Sequence, residues 1–388
     1  MASDVDGHSL RIQTTGGAVP LGFVREGARL YLIARERSAR WPVTILREGE
    51  VEVDLPEGRQ RGAPRLVVDP DQREEILSKF RTKYGPDQYR RWYEHPARVI
   101  RVDLAASGAP RAIDGPGTDR YFGWLSAEFD NVADDYDRHI LGNRMNRWLR
   151  DRSLAWLRKR FRGRERVLEI GCGSGMETLP LLSEGHRLTC IDISERMLAV
   201  VRAKAERQGL GDRLTTRRMR ASDLPKLRDE LGDAAFDAAY STYGALNCEP
   251  DLSMLPGALH RLLVPGGPFV AGVYNRWCLF ELAGYGLTLQ GGRAFGRRRN
   301  PIPVGASRFC VDVYAHSPSD FRHLFAEGFR VERVEGVPVL LPPSDLTGYA
   351  ERFARHFGVL GAADAWLGAR WPLSELGDHF LMTLERTP

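Results

Sequence analysis

Val167-Leu-Glu169-Ile-Gly171-Cys172-Gly173-Ser-Gly175 is an apolar run ending in three alternating glycines, and Met176 opens a helix-compatible stretch behind it. A β-branched and leucine-rich run that stops at glycines reads as a buried strand, and the glycines let the backbone turn tightly and approach a ligand. The same strand-then-helix rhythm recurs downstream. Strands are expected at residues 166–170, 187–191, 214–219, 236–240 and 268–274, each followed by a helical stretch. That alternation predicts an α/β fold with a parallel, doubly wound, Rossmann-like sheet, in which ligands bind at the carboxyl ends of the strands.

Three details bear on which ligand the glycine loop takes. Glu169, two places before Gly171, would repel a pyrophosphate but suits a cation, such as the amino-acid end of S-adenosylmethionine (SAM). Met176 stands where the third glycine of a GxGxxG dinucleotide site would be, so that spacing is not met. Asp192, in Cys190-Ile-Asp192-Ile193-Ser194, falls at the end of the next strand, where a carboxylate can hold two ribose hydroxyls. Further on, Ser222, Asp223 and Leu224 are candidates for the adenine side, with Met219 and Leu224 expected to sandwich the ring. The alternative for Asp223 is a simple helix cap.

The bulk properties agree with a folded, multi-domain protein. At 388 residues the chain is long for one core, and 43% apolar content is ample for two. The net charge of +5 is carried almost wholly by arginines interspersed with acids, so no nucleic-acid face is expected. The five cysteines, Cys172, Cys190, Cys248, Cys278 and Cys310, include no Cys-x-x-Cys pair, which argues against a disulfide framework or a zinc site and leaves no metal expected. Met1-Ala-Ser-Asp-Val-Asp lacks a basic segment followed by an apolar one, and the longest apolar passage is broken by Asn275, Arg276 and Glu281. The expectation is a cytoplasmic protein without a secretory signal or membrane span.

Residues 105–120 concentrate Gly, Pro, Ala and Ser and read as a linker, placing one domain at 1–104 and another at 121–388. Ahead of the linker, short β-rich runs at 19–24, 29–34, 42–46, 50–54, 65–68 and 98–104, with one helix over 70–83, predict a compact β-barrel-like unit.

Val167 to Gly175, Asp192, Ser222-Asp223, Phe236-Asp237 and Leu262-Leu-Val-Pro-Gly-Gly267 together resemble the successive motifs of class I SAM-dependent methyltransferases. Phe129 to Asp137 is similar to that family's entry helix, whose tyrosine closes over the cofactor, and Gly377 to Leu384 looks like its last, antiparallel edge strand. The resemblance implies a seven-stranded methyltransferase sheet over about residues 120–386, with SAM as cofactor. It implies a cofactor set of Tyr136, Glu169, Gly171, Cys172, Gly173, Gly175, Asp192, Ile193, Ser222, Asp223, Leu224 and Ser241.

Methyl transfer is an in-line displacement, so positioning and removal of a proton are what such a protein supplies. The candidates are Tyr243, Tyr274 and His316, with His379 a further base if the fold brings it near, and Trp277 as an aromatic wall. The acceptor is expected to be a small molecule. After the fifth strand, an apolar helix from Cys278 to Leu289 precedes the run Arg297-Arg298-Arg299, which reads either as a lid meeting an acidic group or as a solvated turn.

The first half, through Gln13-Thr-Thr-Gly16, Gly27 to Ala34, Glu50 to Asp54 and Val99 to Asp103, resembles the split β-barrel of the deazaflavin-dependent nitroreductase family. That family carries a basic loop after its Thr-Thr-Gly, whereas Gly17-Ala-Val-Pro20 follows here, and Arg35, Arg37 and Arg40 beside Trp41 are the substitutes on offer. The favoured role is non-redox, in homodimerisation, substrate recruitment or lid formation. Two rival readings stand: a bifunctional enzyme whose barrel binds a flavin or deazaflavin, and a SAM-binding protein that does not methylate, acting as a sensor or scaffold or closing a ring.

Overall fold

The computed structural model describes residues 9–14, 17–34, 41–48, 50–55, 58–67, 70–93, 98–104, 119–287, 294–298, 301–302, 311–344 and 356–388. Residues 105–118 of the expected linker, together with Arg35, Arg37, Arg40 and Arg299, lie outside them. The chain forms two compact units, the first up to Asn131 together with Val311 and the second from Val132 onwards.

In the first unit, strands β1 (Ser9–Thr14), β2 (Gly17–Glu26), β3 (Arg29–Ala34), β4 (Val51–Leu55), β5 (Gly58–Leu66) and β6 (Arg98–Leu104) close into a barrel of order β1-β2-β3-β6-β5-β4. Alternation along the strands sends Ile12, Leu30, Leu32, Val53, Ile100 and Val102 inward to one core. Tyr31, Ile33 and Val99 point the other way and pack under Ile76, Phe80, Tyr84 and Tyr93 of helices α2 (Pro70–Tyr84) and α3 (Pro86–Tyr93).

The run at 42–46, expected as a strand, is instead part of helix α1 (Trp41–Glu48). Its β-branched residues suggested a strand, but Pro42 sits in the first turn, where its missing N–H costs nothing, and Ile45 and Leu46 fall together on the buried side. Helix α4 (Asp119–Val132) belongs to the first unit up to Asn131 and is anchored there by a buried pair. Arg98 Nε donates to both carboxylate oxygens of Glu128, at 2.9 and 2.8 Å.

The second unit holds a seven-stranded sheet of order β12-β13-β11-β10-β7-β8-β9. Its strands are β7 (Arg166–Ile170), β8 (Arg187–Asp192), β9 (Leu214–Arg218), β10 (Ala238–Ser241), β11 (Pro268–Tyr274), β12 (Phe329–Val337) and β13 (His379–Arg386). The first five run parallel, while β13 is antiparallel to both β11 and β12. The closing strand is therefore interior, not the edge expected for it. Phe329–Val337 supplies the outer partner, and buried residues on both faces of His379–Leu384 match a strand hydrogen-bonded and covered on every side.

After the short helix α5 (Tyr136–Leu141) come α6 (Arg144–Arg160), α7 (Thr178–Ser183) and α8 (Glu195–Arg207). Two cores sandwich the sheet. Leu168, Ile170, Ala239, Phe269 and Phe380 face one core, and Val167, Ala238, Tyr240 and Val270 face the other, packed against Leu157 of α6, Leu181 of α7 and Val201 of α8. Among the described residues, no helix is long and apolar enough to cross a membrane.

Candidate functional site

The loop between β7 and α7 carries positive φ at each of its glycines, +76° at Gly171, +52° at Gly173 and +84° at Gly175. The outer two are also places of close approach. A Cβ on Gly171 would meet the Ala245 Cβ at 2.1 Å, and one on Gly175 would meet Val201 Cγ2 of α8 at 2.3 Å. Gly175 is thus where the loop packs tightly on helix α8. Asp192, ending β8, holds this loop: its Oδ2 accepts the Gly173 amide at 2.8 Å and its Oδ1 the Ser194 amide at 2.9 Å. The Tyr136 ring lies over Gly173, 3.9 Å from where a Cβ would be, and burial raises its hydroxyl pKa. The glycine cradle, the strand-end carboxylate and an overlying tyrosine fit an adenosine ligand carrying an amino-acid tail.

Glu169 does not face that cradle. Side chains alternate along β7, so Glu169 shares the face of Val167 and lies beneath α7, where its Oε2 accepts from Thr178 Oγ1 at 2.5 Å and from Cys190 Sγ at 3.3 Å. Burial lifts its pKa to about 7, the Thr178 bond opposing the rise. Burial likewise pushes the Cys190 thiol well up, and Cys172, against the lowering effect of its bond to Cys190, is raised to about 11 by burial and by the Asp192 and Glu169 charges. The charged pair beside the loop is one that sequence reasoning missed. Arg150 of α6 meets Glu177 at 2.5 Å, just ahead of α7, and Glu177 Oε1 is buried without a hydrogen-bond partner among the described residues. No sequence motif flags this pair, because Arg150 and Glu177 come from separate elements.

On the adenine side, Asp223 is engaged as a cap and ion-pair partner. It accepts from the Arg220 side chain at 2.9 Å, the Arg220 amide at 3.2 Å and Lys226 at 2.6 Å, and its pKa is held low because these bonds outweigh its burial. The Ser222 amide donates to Glu249 at 3.3 Å, and burial raises that carboxyl to about 7. Leu224 is fully buried in the main core, so the expected sandwich would have to come from other side chains. Ile193 is half-buried with its carbonyl accepting from Arg218 at 3.3 Å, and Ser241 Oγ donates to the Ile170 carbonyl at 2.8 Å, tying β10 to β7.

A second polar group occupies the same sheet edge over the next three strands, β10, β11 and β13. Tyr274 ends β11 and pairs in register with His379, which begins β13, their rings meeting edge to face at 5.3 Å. Tyr243, just past β10, also meets the His379 ring edge to face, at 5.7 Å. Tyr243 has a φ of +54°, a strained conformation for a bulky residue, and its hydroxyl donates to the Leu149 carbonyl. Arg150 lies over its ring at 4.7 Å, which links this group to the glycine loop. Asp378 Oδ2 is 3.1 Å from His379 Nδ1, while its Oδ1 accepts from Arg297 at 2.6 Å.

Arg297 is neither a lid charge nor part of a solvated turn, as the arginine run suggested. It is 4% exposed, bridges Glu281 and Asp378, and stacks over Tyr274 at 4.1 Å. Cys278, Glu281 and Asp378 bring ligand atoms within 4.8 Å of one another, but this guanidinium already supplies their positive charge. His316 does not join the group. Its ring packs on Phe321 of the helix Pro318–Leu324, and burial together with Arg276 lowers its pKa to about 4, a poor match to a base working near neutrality. Trp277 is covered by Arg298 at 5.6 Å.

Residues 167–267 match the family model described as a methyltransferase domain. Within the second unit, these residues are a methyltransferase domain. The chain is 27% identical over 186 residues to the ubiquinone/menaquinone biosynthesis C-methyltransferase of Brucella anthropi, covering 44% of this chain and 68% of that one. It is 28% identical over 163 residues to a demethylmenaquinone methyltransferase of Leptospira interrogans, covering 40% and 64%. The chain therefore spans about two thirds of the length of these curated relatives. A 1,6-didemethyltoxoflavin-N1-methyltransferase of Burkholderia thailandensis, solved with its substrate and S-adenosylhomocysteine, overlaps 71% of this chain and 94% of its own at 20% identity and a TM-score of 0.43. Both the glycine loop and Asp192 of the methyltransferase domain fall inside the matched segment.

Proposed function

We propose that the protein transfers the methyl group of SAM to a small-molecule acceptor, with SAM lying over the β7 and β8 ends and the acceptor over the β10, β11 and β13 ends. The observation that carries this reading is the shared sheet edge. Asp192 and the Gly171–Gly175 loop sit at one part of it, Tyr243, Tyr274 and His379 at the other, and Arg150 joins Glu177, just past the loop, to the Tyr243 ring. In this reading Asp192 binds the ribose, the loop amides and Tyr136 enclose the amino-acid end, and the Arg150–Glu177 pair neutralises its charges. Glu169 supports the loop from beneath. Ile193, Ser222 and Asp223 border the adenine, and Tyr243 and Tyr274 orient the acceptor.

The barrel is assigned an accessory, non-redox role. In support, strand β2 begins at Gly17, paired with Thr14 of β1, where the nitroreductase-like family places its basic phosphate loop. The test of the whole reading is calorimetric titration with S-adenosylhomocysteine, with NADH as control. Binding that is lost in Asp192→Ala supports it, and a preference for NADH or no binding overturns it.

A further inference from the structure

The Tyr274–His379 pairing sets an imidazole at the carboxyl edge of the sheet, the edge at which Rossmann-like folds do their chemistry. Three features make it more than a packed histidine. A carboxylate stands at its Nδ1, from Asp378, 3.1 Å away. That carboxylate is held in turn by Arg297, which also takes the Asn275 and Asp378 carbonyls at 3.1 and 2.9 Å and is anchored by Glu281. The ring is 3% exposed and gripped edge-on by Tyr243 and Tyr274, so its orientation is set and bulk water is kept away. A buried charge-and-hydrogen-bond chain of this kind, from Arg297 through Asp378 to His379, specifies one geometry because breaking any member strands the others.

A carboxylate at Nδ1 places the neutral ring's proton there and leaves Nε2 as the basic nitrogen. We infer that His379, oriented by Asp378, is the catalytic base that takes the proton from an acceptor carrying an O–H or N–H nucleophile, with Arg297 a positioning residue. The inference rests on the methyl-transfer reading above. When bound, SAM supplies an electrophilic methyl carbon on a sulfonium. As the acceptor's oxygen or nitrogen bonds to that carbon, the C–S electron pair returns to sulfur and the acceptor's proton passes to His379 Nε2. The imidazolium is countered by Asp378 and gives its proton to water on product release. His316, the other candidate base, packs on Phe321 instead, and burial together with Arg276 lowers its pKa to about 4.

The experiment is long-range 1H–15N spectroscopy of the full chain labelled at histidine, with His379→Asn to assign the resonance. The expected result is a neutral His379 protonated at Nδ1 and bare at Nε2, and a change of that tautomer in Asp378→Asn. A neutral ring carrying its proton on Nε2, or a tautomer indifferent to Asp378→Asn, overturns the inference. S-adenosylhomocysteine affinity, read on the same samples, should be unchanged within about twofold in His379→Asn. Failure of the wild-type protein to bind S-adenosylhomocysteine sinks the methyl-transfer reading, whereas the tautomer result judges the base.

Discussion

Asp192 Oδ2 accepts the Gly173 amide at 2.8 Å, so the carboxylate ending β8 is also the clasp on the glycine loop of β7. Removing it takes away both a ribose ligand and the loop's anchor. Asp192→Ala is expected to weaken S-adenosylhomocysteine by about 100-fold or more, roughly 2.7 kcal/mol, in calorimetry. Asp192→Asn, which keeps an acceptor oxygen for the amide, should lose less. Equal affinity in wild type and Asp192→Ala would show that the ligand lies elsewhere.

Glu169 makes stability depend on pH. Its carboxyl is raised by burial from 4.5 to about 7 in the folded protein. Below pH 4.5 both states hold the proton and the full stability is present. Between 4.5 and 7 the unfolded chain releases it first, so stability falls as pH rises, by on the order of 3 kcal/mol, and then levels off. Glu169→Gln keeps the shape without the charge and should remove that fall. Denaturant unfolding of both proteins from pH 5 to 8 measures it, and parallel curves would refute it.

Gly175→Ala would put a methyl 2.3 Å from Val201 Cγ2 at a φ of +84°. Clash and backbone strain together should cost about 2–4 kcal/mol. Adding Val201→Ala relieves the clash but leaves the strain, so partial recovery of the melting temperature is the expected outcome.

In the first unit, Glu128→Ala strands the Arg98 guanidinium in a buried site and should cost about 3–5 kcal/mol. Replacing both residues together, as Arg98→Met with Glu128→Leu, should be far milder. A double-mutant cycle by chemical denaturation decides between the coupled cost and two independent losses.

A non-redox barrel carries its own forecast. The purified full-length protein should show neither flavin nor deazaflavin absorption, and reconstitution with either should leave its spectrum that of the free cofactor. A bound, shifted spectrum would instead favour the bifunctional reading.

Much of the methyltransferase domain was legible because its signals are local. The strands at 166–170 and 268–274 were readable from apolar runs bounded by glycine and proline, and their observed limits agree. Helix Trp41–Glu48 was misread because β-branched residues imitate a strand in so short a segment, where the proline's position decides. The edge placement of the last strand failed for another reason: only the pairing of Phe329–Val337 onto its far side reveals that it is interior.

By itself, the amino-acid sequence determined the strand–glycine–helix unit around Gly171, the carboxylate at Asp192 and the α/β alternation, since each depends on residues a few places apart. Which way each side chain works was decided by tertiary structure. Pleating turned Glu169 beneath α7, and packing gave Arg297 a buried place between Glu281 and Asp378. Strand order brought His379 against Tyr274 and Tyr243, residues more than a hundred positions away in the chain. Those relationships depend on register and on low-dielectric burial, and neither exists until the sheet has formed.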